Sequence, residues 1–88
     1  MEHNLFKYIE RCTFRWEKRG AWMAVIGNGG KRAEQEYVLH HLALLYGDWK
    51  YASQPDGTPV LTLPIHDVHT LRDWGLTSKP RKAEEVSA

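Results

Sequence analysis

The chain has 88 residues, of which 42% are hydrophobic and 26% are charged. This length holds one compact domain around one hydrophobic core and excludes a protein with two cores. The aromatic residues, 4 Trp, 4 Tyr and 2 Phe, exclude a disordered polyelectrolyte, because such chains lack the apolar side chains that offset the entropy of ordering. The net charge is only +1, whereas domains dedicated to nucleic acids are usually strongly basic. Net charge therefore indicates no class of partner.

Cysteine content and the apolar pattern bear on the cellular compartment. The single cysteine, Cys12, has no partner for an intrachain disulfide, so a disulfide-stapled secreted miniprotein is excluded. The first residues include Glu2 and Lys7 and do not form a signal peptide. The longest stretch without a polar side chain, residues 20–27, is far shorter than the roughly 20 residues that span a bilayer. We therefore expect a soluble, cytoplasmic protein with no membrane partner.

The first predicted elements are a short helix and a strand. Asn4 is suited to cap the helix, whose apolar residues recur at spacings of three and four: Leu5, Tyr8, Ile9 and Cys12. From Thr13 the spacing changes to two, because Phe14 and Trp16 alternate with charged residues. This alternation predicts a half-buried strand with a charged outer face.

A second apolar run covers residues 21–26, after a turn at residues 18–20. We assign the run as a strand, although periodicity alone also allows a helix over residues 20–26. The segment Gly27-Asn28-Gly29-Gly30 is then expected to end the element, because three glycines in four residues have too much chain entropy to lie inside it.

A central helix is predicted from residue 31 or 32 to residue 46, with Gly47 as its stop. Two further strands, residues 49–53 and 60–63, flank the sequence Pro55-Asp56-Gly57. Proline fixes φ, aspartate caps a turn and glycine accepts a positive φ, so this segment predicts a hairpin.

The last helix is predicted to follow Pro64 and to end before Gly75 in a left-handed conformation, with Leu76 against Leu71. Residues 77–88 are polar and are expected to form a flexible tail. The predicted fold is thus a single α+β domain over residues 1–76. Its two β-hairpins pack with a central helix and short terminal helices in the order α-ββ-α-ββ-α.

The main candidate binding surface is a basic and aromatic segment between residues 11 and 32. This segment holds six basic residues and one acidic residue, a charge of +5, whereas the rest of the chain holds six basic and ten acidic residues, a charge of −4. Guanidinium groups beside Trp side chains are suited to stacking on unpaired bases and to neutralising phosphates. The candidate residues for binding a partner or a nucleic acid are Arg15, Trp16, Lys18, Arg19, Trp22, Lys31 and Arg32. The alternative is that both Trp residues belong to the core and the charges form an ordinary solvated surface.

The second candidate is an anion-binding loop formed by Gly27, Asn28, Gly29 and Gly30. Backbone N–H groups at the start of a helix, with two cations beside them, are suited to binding an anion. The spacing matches neither a Walker A loop nor a G-x-G-x-x-G motif. A glycine-rich connection that binds nothing explains the segment equally well.

Residues 25–31, Val-Ile-Gly-Asn-Gly-Gly-Lys, resemble the V-I-G-x-x-G loop of KH domains, which clamps the backbone of RNA or single-stranded DNA. The resemblance is close over these residues and extends to the rest of the chain only in outline. It implies a helix over residues 20–26. The chain departs from the KH pattern at Ala33 and Glu36, where KH domains carry buried aliphatic residues, and at Met23, where they carry a glycine.

Metal binding and catalysis have little support in the sequence. Four histidines on two predicted helices would bind Zn²⁺ or Ni²⁺ only if those helices face each other: His40, His41, His66 and His69. Cys12 lies on an apolar helix face, where a thiol is usually inert. Paired carboxylates and a serine elbow are missing from the sequence. We therefore expect no metal, no cofactor, no catalytic residue and no enzymatic activity.

These observations favour a small non-catalytic protein of regulatory or inhibitor type that binds a protein partner, of the kind that phages and mobile elements encode. The Trp and Tyr content supports this interpretation, because protein interfaces are enriched in both. The alternative is an RNA or single-stranded DNA binding module that uses the basic and aromatic hairpin and the glycine-rich loop. The identity of the partner and the oligomeric state stay open.

Overall fold

The structure of the protein, a computed structural model, describes residues 2–76, with side chains from residue 5 onward. The helices are α1 (Glu2–Arg11), α2 (Arg32–Leu45) and α3 (Val68–Trp74), and a 3₁₀ turn at Ile65–Asp67 precedes α3. The strands are β1 (Thr13–Arg19), β2 (Trp22–Gly29), β3 (Lys50–Ser53) and β4 (Pro59–Pro64). The predicted order and the α+β class are therefore confirmed. The predicted tail, residues 77–88, lies outside the described residues.

The four strands form one antiparallel sheet in the order β1-β2-β4-β3. Gly20 and Ala21 form the two-residue turn of the first hairpin, between the paired residues Arg19 and Trp22. The φ of +66° at Gly20 suits the first central position of a type II′ turn, where glycine is preferred. β2 pairs with β4 along its other edge and so joins the two hairpins.

The turn of the second hairpin is formed by the residues that the sequence predicts for it. The carboxylate of Asp56 accepts a hydrogen bond from the Thr58 N–H at 3.0 Å, and this bond lowers the pKa of Asp56. Gly57 has a φ of +89° and donates its N–H to the Gln54 carbonyl at 2.8 Å. The hairpin prediction is therefore confirmed.

The structure decides the open choice for residues 20–26 in favour of a turn and a strand. The KH order of elements needs a helix there and is therefore wrong for this chain. The strand ends within the glycine segment as expected, because β2 stops at Gly29 and Gly30 has a φ of +98°. The expectation that the glycines cannot lie inside the strand is wrong, because Gly27 and Gly29 both pair with β1. A side chain on Gly27 would collide with the buried Gln35, whose amide donates a hydrogen bond to the Gly29 carbonyl at 3.1 Å. Glycine thus permits close packing of α2 on the strand.

All three helices contribute to a core on one side of the sheet. The helices contribute Leu5 and Ile9 from α1, Val38, Leu39 and Leu42 from α2, and Leu71 from α3. The strands contribute Phe14, Val25, Leu61 and Leu63. Strand residues that alternate with these point to the other side, where Ala24, Ile26 and Val60 form a separate cluster with no helical residue. We call this second side of the sheet, as far as the structure describes it, the open face.

The ends of the helices test two predictions. α1 begins at Glu2, so Asn4 lies inside the helix, and the prediction that it caps α1 is wrong. α3 ends as predicted, because Gly75 has a φ of 97° and Leu76 donates its N–H to the Leu71 carbonyl at 3.0 Å. Within residues 2–76, no helix has the length and the apolar content to cross a bilayer.

Candidate functional site

The pleat of β1 divides the basic and aromatic residues between the two sides of the sheet. Residues two apart in a strand share a side, and the pairing of β1 with β2 places Arg15, Glu17 and Arg19 on the open face. Trp16 and Lys18 lie on the side of the helices. The seven candidate residues therefore do not form one surface.

Trp16 belongs to the helix side of the molecule. It packs against the core, and the guanidinium of Arg72 lies over its ring at 5.6 Å from the centroid. Its indole nitrogen is buried and has no hydrogen-bond partner among residues 2–76. Trp16 is thus partly buried against the core, and its role in binding a partner stays a prediction.

Trp22 lies on the open face at the turn end of β2. It is one of the exposed large hydrophobic side chains, with 41% of its surface accessible. A shallow hollow of about 440 Å³ borders its ring and is lined by Arg19, Trp22, Lys50 and Thr62. The open face therefore presents one accessible indole between two cations.

Lys50 and Thr62 enter the site through the assembly of the sheet. They face each other across β3 and β4, and Thr62 pairs with Ala24 of β2. Sequence reasoning missed both residues, because they belong to the second hairpin. Alternation within β3 and β4 indicates which residues share a side, but it does not indicate that β4 pairs with β2.

Glu17 links two arginines of the open face. Arg19 donates hydrogen bonds from Nε, at 2.9 Å, and from Nη2 to the Oε1 oxygen of Glu17. Arg15 Nη1 lies 3.5 Å from the Oε2 oxygen. Hydrogen bonding and charge from Arg19 lower the pKa of Glu17, so the carboxylate is ionised at neutral pH. With Lys50 the open face carries three positive charges and one negative charge.

The aliphatic residues of the open face offer little accessible surface. Ala24 is 0%, Ile26 2% and Val60 6% exposed. The other large hydrophobic side chains that are exposed in the described part of the chain lie on helices: Phe6, Leu44 and Leu45. Trp22 therefore supplies most of the apolar contact area that the open face offers to a partner.

The glycine-rich segment and its cations lie at the other end of β2. Gly29 lies seven positions after Trp22, which is roughly 20 Å along a strand. Lys31 and Arg32 are exposed at the start of α2, and the guanidinium of Arg32 lies beside Gly57. In the first turn of α2, Glu34 forms an ion pair with Arg11 at 2.9 Å. Anion binding by Gly27, Asn28, Gly29 and Gly30 stays a prediction, and the packing of Gln35 gives two of these glycines a structural role.

The residues that bear on metal binding and catalysis lie apart from the open face. Burial raises the pKa of the Cys12 thiol, so the thiol is protonated at neutral pH. His40 packs on Tyr51 at 4.8 Å between ring centroids, and His41 packs on Tyr37 at 4.2 Å. Within residues 2–76, no three His, Cys, Asp or Glu side chains come together as a metal site requires. The expectations of no enzyme, no metal and no cofactor stay predictions.

Comparison with known proteins adds no identification to this geometry. No protein-family model matches the chain, and no curated protein or solved structure matches it significantly. The candidate site therefore rests on the arrangement of Trp22 and its charged neighbours in this chain alone.

Proposed function

We propose that the protein is a non-catalytic module that binds single-stranded nucleic acid on the open face. The observation that carries the proposal is the accessible indole of Trp22 between Arg19 and Lys50 at the edge of a shallow hollow. Every base has an aromatic face that stacks on an indole, and cations beside the stack neutralise the backbone phosphates. The stacking side chain and the cations of such a site lie beside the same hollow.

The burial of the aliphatic residues favours a nucleic acid over a protein partner. Protein interfaces are apolar and poor in charge at their centre. The centre of the open face instead holds Ala24 and Ile26, which are already buried and which pair with the charged residues Glu17 and Arg15 of β1. Such a surface suits a polyanion with flat bases better than an apolar protein core, so the protein partner favoured by composition becomes an alternative outcome of the test.

A single strand fits the site better than a duplex. Bases in a duplex already stack on their neighbours, whereas unpaired bases are free to stack on an aromatic side chain. Trp22 stands on the sheet with its ring bordering the hollow, which accommodates one flat base. The sugar-phosphate backbone of a strand that crosses the sheet then passes the side chains of Arg15, Arg19 and Lys50.

The test measures binding of a fluorescein-labelled 15-nucleotide single-stranded DNA to the 88-residue protein by anisotropy at several salt concentrations. Three phosphate contacts predict a slope of about −2 for log affinity against log salt. Trp22→Ala should cost about 1–3 kcal/mol of binding free energy, because the stack is lost. Lys50→Gln should reduce the magnitude of the slope by about 0.7.

Lys18→Gln is the matched control, since Lys18 is also an exposed lysine of the sheet but lies on the helix side. It should leave affinity and slope unchanged. Equal losses in Lys18→Gln and Lys50→Gln would mean that binding follows net charge and would overturn the proposal. Absence of binding would overturn it as well. If polyglutamate displaces the DNA and its own binding depends on Trp22, the open face belongs to an acidic protein partner.

A further inference from the structure

We infer that the open face prefers bases that carry an exocyclic amino group, which are cytosine, adenine and guanine, over thymine, because Glu17 places a carboxylate acceptor beside the stacking position on Trp22. This inference rests on the proposed function and names the class of base that the same site accepts. It concerns the contact that distinguishes one base from another, whereas the stack and the cations act on all bases alike.

The register brings Glu17 close to Trp22. Glu17 pairs with Ala24, which lies two residues after Trp22 in β2. Glu17 and Trp22 are thus diagonal neighbours on one side of the sheet, a relation that places backbones roughly 7–8 Å apart and leaves long side chains within reach. A base that stacks on the indole therefore has an edge within reach of the carboxylate.

One oxygen of Glu17 keeps its capacity to accept a further hydrogen bond. Both hydrogen bonds from Arg19 end on Oε1. Arg15 Nη1 lies 3.5 Å from Oε2, a contact longer than an ordinary hydrogen bond. Because a carboxylate oxygen has two lone pairs, Oε2 keeps the capacity to accept from an amino group of a bound base as well.

The charge of Glu17 gives the contact its selectivity. The pKa of the group is lowered by Arg19, so the carboxylate is ionised and acts only as an acceptor. An acceptor attracts the N4 amino group of cytosine, the N6 amino group of adenine or the N2 amino group of guanine, and it repels the O4 oxygen of thymine.

The experiment compares 15-nucleotide oligo(dC) and oligo(dT) at pH 7.5 in the same anisotropy assay. The two strands have equal length and charge and both carry pyrimidines, so the difference reports the base edge. We expect oligo(dC) to bind at least about five-fold more tightly. Glu17→Gln should remove the preference, because an amide both accepts from an amino group and donates to a carbonyl.

Glu10→Gln, an equal change of charge at an exposed position of α1, is the control and should keep the preference for oligo(dC). Circular dichroism of each variant establishes that it is folded. Equal affinities of the wild-type protein for both strands, or a preference that survives Glu17→Gln, would overturn the inference and leave the proposed function intact. Failure to bind either strand would instead overturn the proposed function.

Discussion

Gly75 shows how one residue fixes the end of α3. Its φ of 97° lies in the left-handed region, which side chains other than glycine rarely adopt. A Cβ built on it would lie 3.8 Å from Ile9 Cγ2, an ordinary contact, so the cost of a side chain comes from the backbone. Gly75→Ala should therefore lower the free energy of unfolding by about 1 kcal/mol, measured by urea denaturation.

Gly47→Ala is the control for this prediction. Gly47 is not among the glycines with positive φ in the described part of the chain, and a Cβ on it would meet nothing within 4 Å. The substitution should leave stability unchanged or raise it slightly, because alanine restricts the unfolded chain more than glycine does. Equal effects of the two substitutions would contradict a left-handed Gly75.

Single residues were predictable where their chemistry is local. Gly75 and the Asp56 turn act within a few residues of themselves, so the sequence around them contains the whole cause. The environments of the two Trp residues of the first hairpin could not be predicted from the neighbouring sequence alone. Trp16 and Trp22 both lie in strands beside basic residues, and only the position of the helices shows that Trp16 is packed under Arg72 while Trp22 is accessible.

At the scale of elements, the register of β1 decides which side chains reach the open face. The N–H of Ile65 donates to the carbonyl of Ala21 at 2.9 Å, which extends the pairing of β2 with β4. In antiparallel strands, hydrogen-bonded residue pairs alternate with pairs that are not hydrogen-bonded. Because Ala21 bonds toward β4, the backbone groups of the next residue, Trp22, point toward β1 instead. The same holds for every second residue of β2 after Trp22. A slip by one residue would move every side chain of β1 to the other side.

Hydrogen exchange of the β1 amides tests this register. The N–H groups of Glu17 and Arg19 point to β2, while those of Trp16 and Lys18 point away from the sheet. In the described part of the chain, the backbone bonds outside helices and strand pairs involve none of these four residues. We expect the amides of Glu17 and Arg19 to exchange more slowly than those of Trp16 and Lys18, relative to their unfolded rates, as measured by NMR.

The opposite alternation in exchange rates would place Trp16 and Lys18 on the open face and would remove Glu17 from the site. The amides of β2 and β4, which lie in the middle of the sheet, serve as the internal reference, because both of their edges are paired.

β2 was harder to assign from the sequence than the other strands. Residues 21–26 are apolar throughout and show no alternation, since Ala24 and Ile26 on the open face are buried as completely as Val25 on the helix side. β2 lies between β1 and β4. The glycines that follow end the strand only at Gly29, and Gly27 lies inside it, where it packs against Gln35, a residue of another element.

For the whole molecule, the candidate site is a product of assembly. The two hairpins were predictable separately, but the pairing of β2 with β4 brings Lys50 beside the hollow that Trp22 borders. No local pattern encodes that pairing, because it depends on how α2 carries the chain from one hairpin to the other. The sequence therefore indicated some of the candidate binding residues and none of the shape of the surface.

The four indole N–H groups report on the whole molecule, because each lies in a different environment. Trp49 donates to Asp67 at 2.9 Å and Trp74 donates to the Tyr46 hydroxyl at 2.9 Å. The indole N–H of Trp16 is buried, and Trp22 is the exposed member of the set. In an ¹⁵N–¹H spectrum, addition of oligo(dC) should shift the indole signal of Trp22 and leave the other three in place.

This result follows if binding is confined to the open face, because the signals of Trp16, Trp49 and Trp74 arise on the helix side, where they pack against the core. Replacing each Trp by Phe assigns the four signals. A shift of the Trp74 signal with Trp22 unchanged would place the binding surface on the helices, near Phe6, whose ring stacks on Trp74 at 5.2 Å between centroids. A shift of all four signals would mean that the fold itself changes on binding, and the rigid sheet surface on which the proposed stack depends would then be wrong.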